Sequence, residues 1–298
     1  MGKSLMTALM GASVVAMTST ASARDVATLE RIAATSTIRI GQRVSSVPFS
    51  YYSGTGRVIG YSQDIMMKVT AAVQRELRLP SLTIALAPIT SQNWIPLLVN
   101  GTVDIECSST SHVSDREQKV AFSNTIFIVG TRILTRKETG IINFRDLAGK
   151  RVVVTAGTTA ERSLHRFNEE HSAGIVIVAA KEHDLAFQDL EAGRVAAFVN
   201  DDALLYGERI KADHPDDWIV TGTPLGLEAY ACTMRRDDPS FKAVVDKAIA
   251  EIMMSGEALA LHDKWFMQPI PPTGANLNWP ISGALTDLYS APNDRPIE

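Results

Sequence analysis

Segments with strand character and segments with helix character alternate along this chain of 298 residues, and this alternation limits its possible folds more than any other feature. Apolar residues recur at helical spacing at Ile65, Val69 and Val73. Strands are expected at residues 37–40, 82–86, 103–106, 121–134, 151–155, 175–179, 195–199 and 229–234, and helices at residues 65–77, 94–99, 185–191 and 241–254. The pattern is typical of an α/β protein in which helices flank a mainly parallel sheet.

The two cysteines bear on how the chain divides into domains. Cys107 and Cys232 lie far apart in the sequence, and a second α/β unit begins between them near residues 143–150. If the cysteines pair, the end of the chain returns to the first unit and the middle is an insertion with two crossovers; two free thiols are the alternative. We predict two lobes that enclose a cleft, with lobe 1 at residues 24–129, lobe 2 at 130–222, and a return to lobe 1 with a C-terminal tail at 223–298.

The N-terminal residues predict export. A basic start at Lys3 precedes an apolar run at residues 5–17 and an A-x-A site at residues 21–23. This order is typical of a secretory signal peptide, here residues 1–23, cleaved after Ala23. A membrane anchor is the less favoured alternative, because the run is short for a bilayer.

Charge and cysteine content exclude some classes of partner. The chain has 29 Lys+Arg against 33 Asp+Glu, with a formal net charge of −4. A slightly acidic balance argues against a nucleic-acid ligand. Two cysteines are too few for the usual structural zinc site. We expect no metal and no cofactor.

Polar residues follow most of the predicted strands, at the edge of the sheet where open α/β proteins bind ligands. The set contains two arginines, many hydroxyl groups, a histidine and a pair of carboxylates: Arg43, Ser45, Ser46, Ser108, Ser109, Thr110, Ser111, Arg116, Thr158, Thr159, His183, Asp201 and Asp202. Thr158 and Glu161 have the spacing of a capping box, which predicts a helix that begins there.

This set suits an amino acid, which carries both a carboxylate and an ammonium group. Arg116 is expected to bind the carboxylate through its guanidinium fork, with Ser109 and Ser111 as further donors. Thr158 at a helix N-terminus would bind the same anion. Asp201 would accept hydrogen bonds from the ammonium group.

Arg43 is then left for a second negative group, which favours an acidic amino acid. Taken singly, the other residues have ordinary explanations. Arg116 lies in a run of charged residues typical of a solvated surface, Thr158 suits a helix cap, and Asp201 suits a turn. A charge at Arg43, after a buried strand, needs a partner if it is buried. The joint placement of the residues therefore carries the prediction.

Many separate segments resemble the periplasmic glutamate/aspartate-binding proteins, the solute receptors of polar amino-acid ABC importers within solute-binding protein family 3. The resemblance extends from about Thr28 to the C-terminus. It rests on RVSSVPFSYY (43–52), GYSQD (60–64), ITSQN (89–93), CSSTSHVSDR (107–116), AFS (121–123), VGTR (129–132), GTT (157–159), DDALL (201–205), EAYAC (228–232), KWF (264–266) and PIPP (269–272).

The resemblance implies a two-lobed type II periplasmic binding protein fold that closes on its ligand, with a disulfide between Cys107 and Cys232. It also implies ligand contacts by position. The α-carboxylate contacts would be Arg116, Ser109, Ser111 and Thr158, the ammonium contact Asp201, and the side-chain contacts Arg43, Ser91 and His183. The implied role is a periplasmic receptor without catalytic residues. Such a receptor would bind L-glutamate or L-aspartate and deliver it, as a monomer, to the permease and ATPase subunits of an ABC importer.

Trp94 is a departure from the resemblance, because the glutamate/aspartate receptors carry an arginine at this position. We place Trp94 among the residues that face the ligand side chain, where it would stack on Arg43 or reduce the pocket. It also leaves open a receptor for a neutral polar amino acid such as glutamine or asparagine. Two further alternatives are a dehydratase of the same fold and a sensory module that reports its ligand to a membrane partner.

Overall fold

The computed structural model describes residues 27–297, so the predicted signal peptide and its cleavage site lie outside the described residues. Within this range the chain is α/β. The strands are β1 (Thr37–Gln42), β2 (Ser45–Ser46), β3 (Ser50–Tyr52), β4 (Val58–Ile59), β5 (Thr83–Pro88), β6 (Ile105–Glu106), β7 (Val120–Arg136), β8 (Arg151–Thr155), β9 (Val176–Ala180), β10 (Ala197–Asp201), β11 (Trp218–Thr221) and β12 (Leu227–Arg235).

The helices alternate with these strands. They are α1 (Thr28–Thr35), α2 (Tyr61–Glu76), α3 (Trp94–Val99), α4 (Ser114–Glu117), α5 (Thr159–Glu170), α6 (His183–Glu191), α7 (Asp202–Arg209), α8 (Pro239–Met254), α9 (Glu257–His262) and α10 (Gly283–Ser290). No helix among residues 27–297 is long and apolar enough to cross a membrane.

The main sheet combines parallel strands at each end with two antiparallel strands at its centre. Its order is β5-β1-β6-β12-β7-β10-β8-β9, with β11 paired to β7. Strand β1 pairs in parallel with β5 and β6, and β8 pairs in parallel with β9 and β10. The central β7 and β12 pair antiparallel, and β7 continues to pair with β10. These two strands carry the chain from one parallel group to the other and back.

The buried apolar residues form separate cores on either side of this crossing. One large cluster includes Ile38, Phe127 and Phe266. Two other clusters lie on opposite sides of β8, with Val153 in one and Val152 in the other. A strand buried on both faces explains the uninterrupted apolar pattern of this segment. The lobe boundaries at 129/130 and 222/223 stay predictions; the first falls within β7 and the second between β11 and β12.

The disulfide between Cys107 and Cys232 is present, as the resemblance implied. Cys107 follows β6, Cys232 lies in β12, and both side chains are buried. The bond therefore joins the loop that leads to Arg116 to a strand from the far end of the chain.

Removal of this disulfide should lower the free energy of unfolding by about 2–5 kcal/mol, because the bond closes a long loop in the unfolded chain. Chemical denaturation of the Cys107→Ser/Cys232→Ser double variant, beside the wild-type chain with and without reductant, measures the effect. Equal stability of the variant and the oxidised wild type would contradict the prediction.

Candidate functional site

A cavity lies between the two parallel groups of strands and brings together every predicted ligand residue. Its empty volume is about 380 Å³, counting space open to solvent. Both groups of strands contribute to its lining: Arg43, Ile89, Ser91, Trp94, Ser109, Thr110, Ser111, Arg116, Thr158, Thr159, His183, Asn200, Asp201 and Leu204. The ligand roles assigned to these residues stay predictions.

At one end of the cavity, Arg116 is a buried cation. It lies in the short helix α4, and its Nη1 donates to the backbone oxygen of Ser111 at 2.8 Å. Its Nη2 is 3.5 Å from the backbone oxygen of Gly157, which belongs to the other side of the cleft. Burial, and secondarily the charge of Arg162, lower the pKa of Arg116 to about 10, so it stays charged at neutral pH. We call this part of the cavity the Arg116 end.

Two buried carboxylates lie beside the Arg116 end. Asp201 ends β10, and its Oδ2 accepts from the Tyr230 hydroxyl, while its Oδ1 has no hydrogen-bond partner among residues 27–297. Glu228 accepts from Thr159 Oγ1 at 2.6 Å and from the Ser111 hydroxyl. Burial and the neighbouring Glu228 raise the pKa of Asp201 well above its ordinary value. An ammonium group beside the free Oδ1 would favour the ionised form.

Sequence reasoning did not assign Glu228 to the site. It lies near the start of β12, in a segment that otherwise consists of residues suited to a buried strand. A carboxylate there needs partners when it is buried, and this was the available signal. Its partners come from both sides of the cleft, because Ser111 follows β6 and Thr159 begins α5.

The hydroxyl groups at this end differ in whether they are available to a ligand. Thr158 caps α5 as predicted, since its Oγ1 accepts from Glu161 N at 3.1 Å. The same hydroxyl donates to the Thr155 backbone oxygen at 2.7 Å, so its proton is already committed. The other half of the expected capping box differs, because Glu161 accepts from Gly157 N. Ser109 Oγ, by contrast, is buried without a partner among residues 27–297.

At the opposite end of the cavity, Arg43 is a second buried cation. Its Nη1 donates to Ser91 Oγ at 2.9 Å, and its Nη2 donates to Glu182 Oε2 at 3.0 Å. Glu182 also accepts from Ser45 Oγ at 3.3 Å. The sequence predicted that a buried charge at Arg43 needs a partner, and Glu182 is that partner. We call this part of the cavity the Arg43 end.

His183, which begins α6, is also buried at the Arg43 end. Its Nε2 is 3.4 Å from Arg43 Nη2, and its Nδ1 is 2.8 Å from Thr155 Oγ1 and 3.1 Å from Asn200 Nδ2. Burial, and secondarily the charge of Arg43, hold the pKa of His183 well below its ordinary value. The imidazole is therefore neutral at neutral pH.

Trp94 begins α3 and is buried in the wall of the cavity. Its ring lies against the guanidinium of Arg116, with Cζ 5.3 Å from the ring centroid. The alternative in which Trp94 stacks on Arg43 is therefore wrong. A cation–π contact of this kind favours one orientation of the guanidinium.

The sequence model of the bacterial extracellular solute-binding proteins, family 3, matches residues 38–268. The chain is 51% identical over 270 residues to the glutamate/aspartate import solute-binding protein of Salmonella typhimurium, covering 91% of this chain and 89% of that protein. It is 52% identical over 273 residues to the L-glutamate/L-aspartate-binding protein of Pseudomonas aeruginosa, covering 91% and 90%. A crystal structure of a mutant of ArgBP from T. maritima superposes with a TM-score of 0.71 at 25% identity, covering 80% of this chain and 99% of that chain.

Proposed function

The chain belongs to the bacterial extracellular solute-binding proteins, family 3, and its fold is that of the type II periplasmic amino-acid-binding proteins. We propose that it binds L-glutamate or L-aspartate in the cavity and delivers it to an ABC importer. The observation that carries the proposal is a cavity with a buried arginine at each end and an acidic pair beside one of them. Each carboxylate of a dicarboxylic amino acid can pair with one of these arginines, and its ammonium group can pair with the acidic residues.

The Arg116 end would hold the amino-acid backbone of the ligand. The α-carboxylate pairs with Arg116 and accepts from the free Ser109 hydroxyl, with backbone donors near Ser111 and Thr158. The α-ammonium donates to Asp201 Oδ1, and Glu228 adds negative charge nearby.

The Arg43 end would hold the side-chain carboxylate of the ligand. Arg43 and the hydroxyl of Ser91 would donate to the carboxylate oxygens, and His183 would contact them as a neutral imidazole. A charge-assisted bond of this kind contributes about 1.5–3 kcal/mol. Arg43 thus accounts for a preference for acidic side chains.

Ligand binding would favour closure of the two lobes. Contacts already cross the cleft at both ends, between Arg116 and Gly157 and between Arg43 and Glu182. A ligand that contacts both sides shifts the population toward the closed form. In the proposed cycle, the closed monomer carries its ligand through the periplasm to the permease and ATPase subunits of the importer.

A binding role is favoured over a dehydratase role, because the relatives at about half identity carry the names of solute-binding proteins. The test is uptake of radiolabelled glutamate and aspartate by cells that lack the gene for this chain. We expect loss of high-affinity uptake and its recovery with the wild-type gene. Undiminished uptake, together with release of no acidic amino acid from the purified denatured protein, would overturn the proposal.

Trp94→Leu should lower the affinities for glutamate and aspartate by similar factors, about 2- to 30-fold. The change removes a cation–π contact from Arg116, the arginine proposed to bind the α-carboxylate that both ligands share. Calorimetric titration measures both affinities. Trp218→Leu is the matched control, since Trp218 is buried and stacks on Arg136 away from the cavity. A loss confined to one of the two ligands would contradict this role and place Trp94 at the ligand side chain.

A further inference from the structure

Asn200 is a buried amide at the Arg43 end of the cavity that the proposed function does not use. It lies in β10 with its side chain fully buried, and it lines the cavity beside His183 and Asp201. Its Nδ2 is 3.1 Å from His183 Nδ1. Its Oδ1 has no hydrogen-bond partner within residues 27–297. A buried polar atom without a partner in a ligand cavity needs an explanation.

The histidine beside Asn200 can present either of two tautomers. Arg43 Nη2, 3.4 Å from His183 Nε2, is only a donor, so in the absence of an anion Nε2 is the accepting nitrogen and Nδ1 carries the proton. Nδ1–H can then donate to the Thr155 hydroxyl at 2.8 Å, and an Asn200 atom that contacts Nδ1 in this tautomer would be an acceptor. An anion at Nε2 favours the opposite tautomer, and the atom that faces Nδ1 is then a donor.

The Asn200 amide can meet both demands, because its oxygen and nitrogen exchange places when the group turns over in the same volume. In the orientation that the structure shows, Nδ2 faces His183 Nδ1 and Oδ1 has no partner among residues 27–297. The group in the place of Oδ1 is an acceptor in this orientation and becomes a donor when the amide turns over. The Arg43 end therefore contains one group that can pair with a carboxylate oxygen or with a carboxamide N–H.

The charges at this end also permit a neutral ligand side chain. The charged groups within hydrogen-bonding distance of one another here, among the described residues, are Arg43 and Glu182, paired at 3.0 Å. His183 is neutral. The formal charge of the three groups is thus zero, and a carboxamide leaves it unchanged. A neutral ligand side chain would not leave Arg43 as an unpaired buried cation, because Glu182 already pairs with Arg43.

We propose that Asn200 is a specificity-determining residue that extends the ligands of this cavity from side-chain carboxylates to side-chain carboxamides, glutamine and asparagine. This inference rests on the proposed function, since it concerns the same cavity. Arg43 accounts for the binding of the acidic side chain, and Asn200 for the admission of the amide. The two classes of ligand thus depend on different protein groups.

The test is calorimetric titration of the exported chain, freed of ligand, with glutamate and glutamine. The wild type is expected to bind both. In Asn200→Leu, the affinity for glutamine should fall about tenfold or more, because the ligand amide loses its partner. The affinity for glutamate should fall less, because its side-chain carboxylate keeps its contact with Arg43. In the isosteric Asn200→Asp, glutamate binding should weaken more than glutamine binding, because an acceptor that carries charge repels the ligand carboxylate.

The control is Thr135→Val, which removes a buried polar group that is hydrogen-bonded to the protein outside the cavity and should leave both affinities unchanged. A wild type that binds glutamate but not glutamine would overturn the inference and leave the proposed function standing. Equal losses of affinity for both ligands in Asn200→Leu and Asn200→Asp would also overturn it, because Asn200 would then only position His183. A wild type that binds no acidic amino acid would overturn the proposed function itself.

Discussion

Replacement of Arg116 by alanine is expected to weaken every amino-acid ligand by about a thousandfold, because truncation of one partner of a buried charge pair costs about 2–5 kcal/mol and more where charges remain unpaired. Arg116 is buried at the end of the cavity that would hold the α-carboxylate. Its removal leaves Asp201 and Glu228 without the nearby cation that offsets their charge. Because all amino acids share the α-carboxylate, the loss should not depend on the side chain.

Calorimetric titration with glutamate, aspartate and glutamine measures this effect. Arg132→Ala is a suitable control, because Arg132 donates to a backbone oxygen at Gly222 and is not among the residues that line the cavity. The control should bind as the wild type does. Affinities of Arg116→Ala within tenfold of the wild type, or a loss limited to one side-chain class, would contradict the assignment of Arg116 to the α-carboxylate.

Replacement of Arg43 by methionine is expected to weaken glutamate and aspartate by about a hundredfold, because a charge-assisted bond of about 1.5–3 kcal/mol is lost. Glu182 would also lose the guanidinium with which it pairs, and its side chain would lie near the ligand carboxylate without that cation. Glutamine, which carries no charge on its side chain, should weaken by a much smaller factor. The ratio of the glutamate and glutamine dissociation constants is therefore the quantity to compare.

Arg39→Met is the matched control for this change. Arg39 lies in β1, the strand that Arg43 follows, and donates to the backbone oxygen of Gly101, away from the cavity. It should leave the ratio unchanged. If Arg43→Met weakened glutamate and glutamine equally, Arg43 would not contact the ligand side chain.

Much of the fold could be predicted because local patterns determine it. The limits predicted for α3 and β8 agree with the structure, and both segments have strong apolar patterns bounded by polar residues. Helix α2 begins at Tyr61, four residues before the expected Ile65. The backbone oxygens of Pro48 and Phe49 accept from the first N–H groups of this helix, a tertiary contact that no local pattern contains.

The predicted site residues line one cavity because they follow strands that end at the same edge of a sheet. Glu182, Glu228 and Asn200 were missed for a different reason. The Arg43–Glu182 pair joins residues 139 positions apart, and Glu228 accepts a hydrogen bond from Ser111, which is 117 positions away in the sequence. Their importance depends on how the two sides of the cleft meet, which the sequence does not specify locally.

Binding of an acidic L-amino acid in the cavity is measured directly by calorimetric titration of the purified chain after removal of bound ligand. Glutamate, aspartate, glutamine and asparagine are titrated under one set of conditions. Glutamate or aspartate is expected to bind with one site per chain, at about micromolar affinity or tighter. Failure of both acidic amino acids to bind would contradict this expectation.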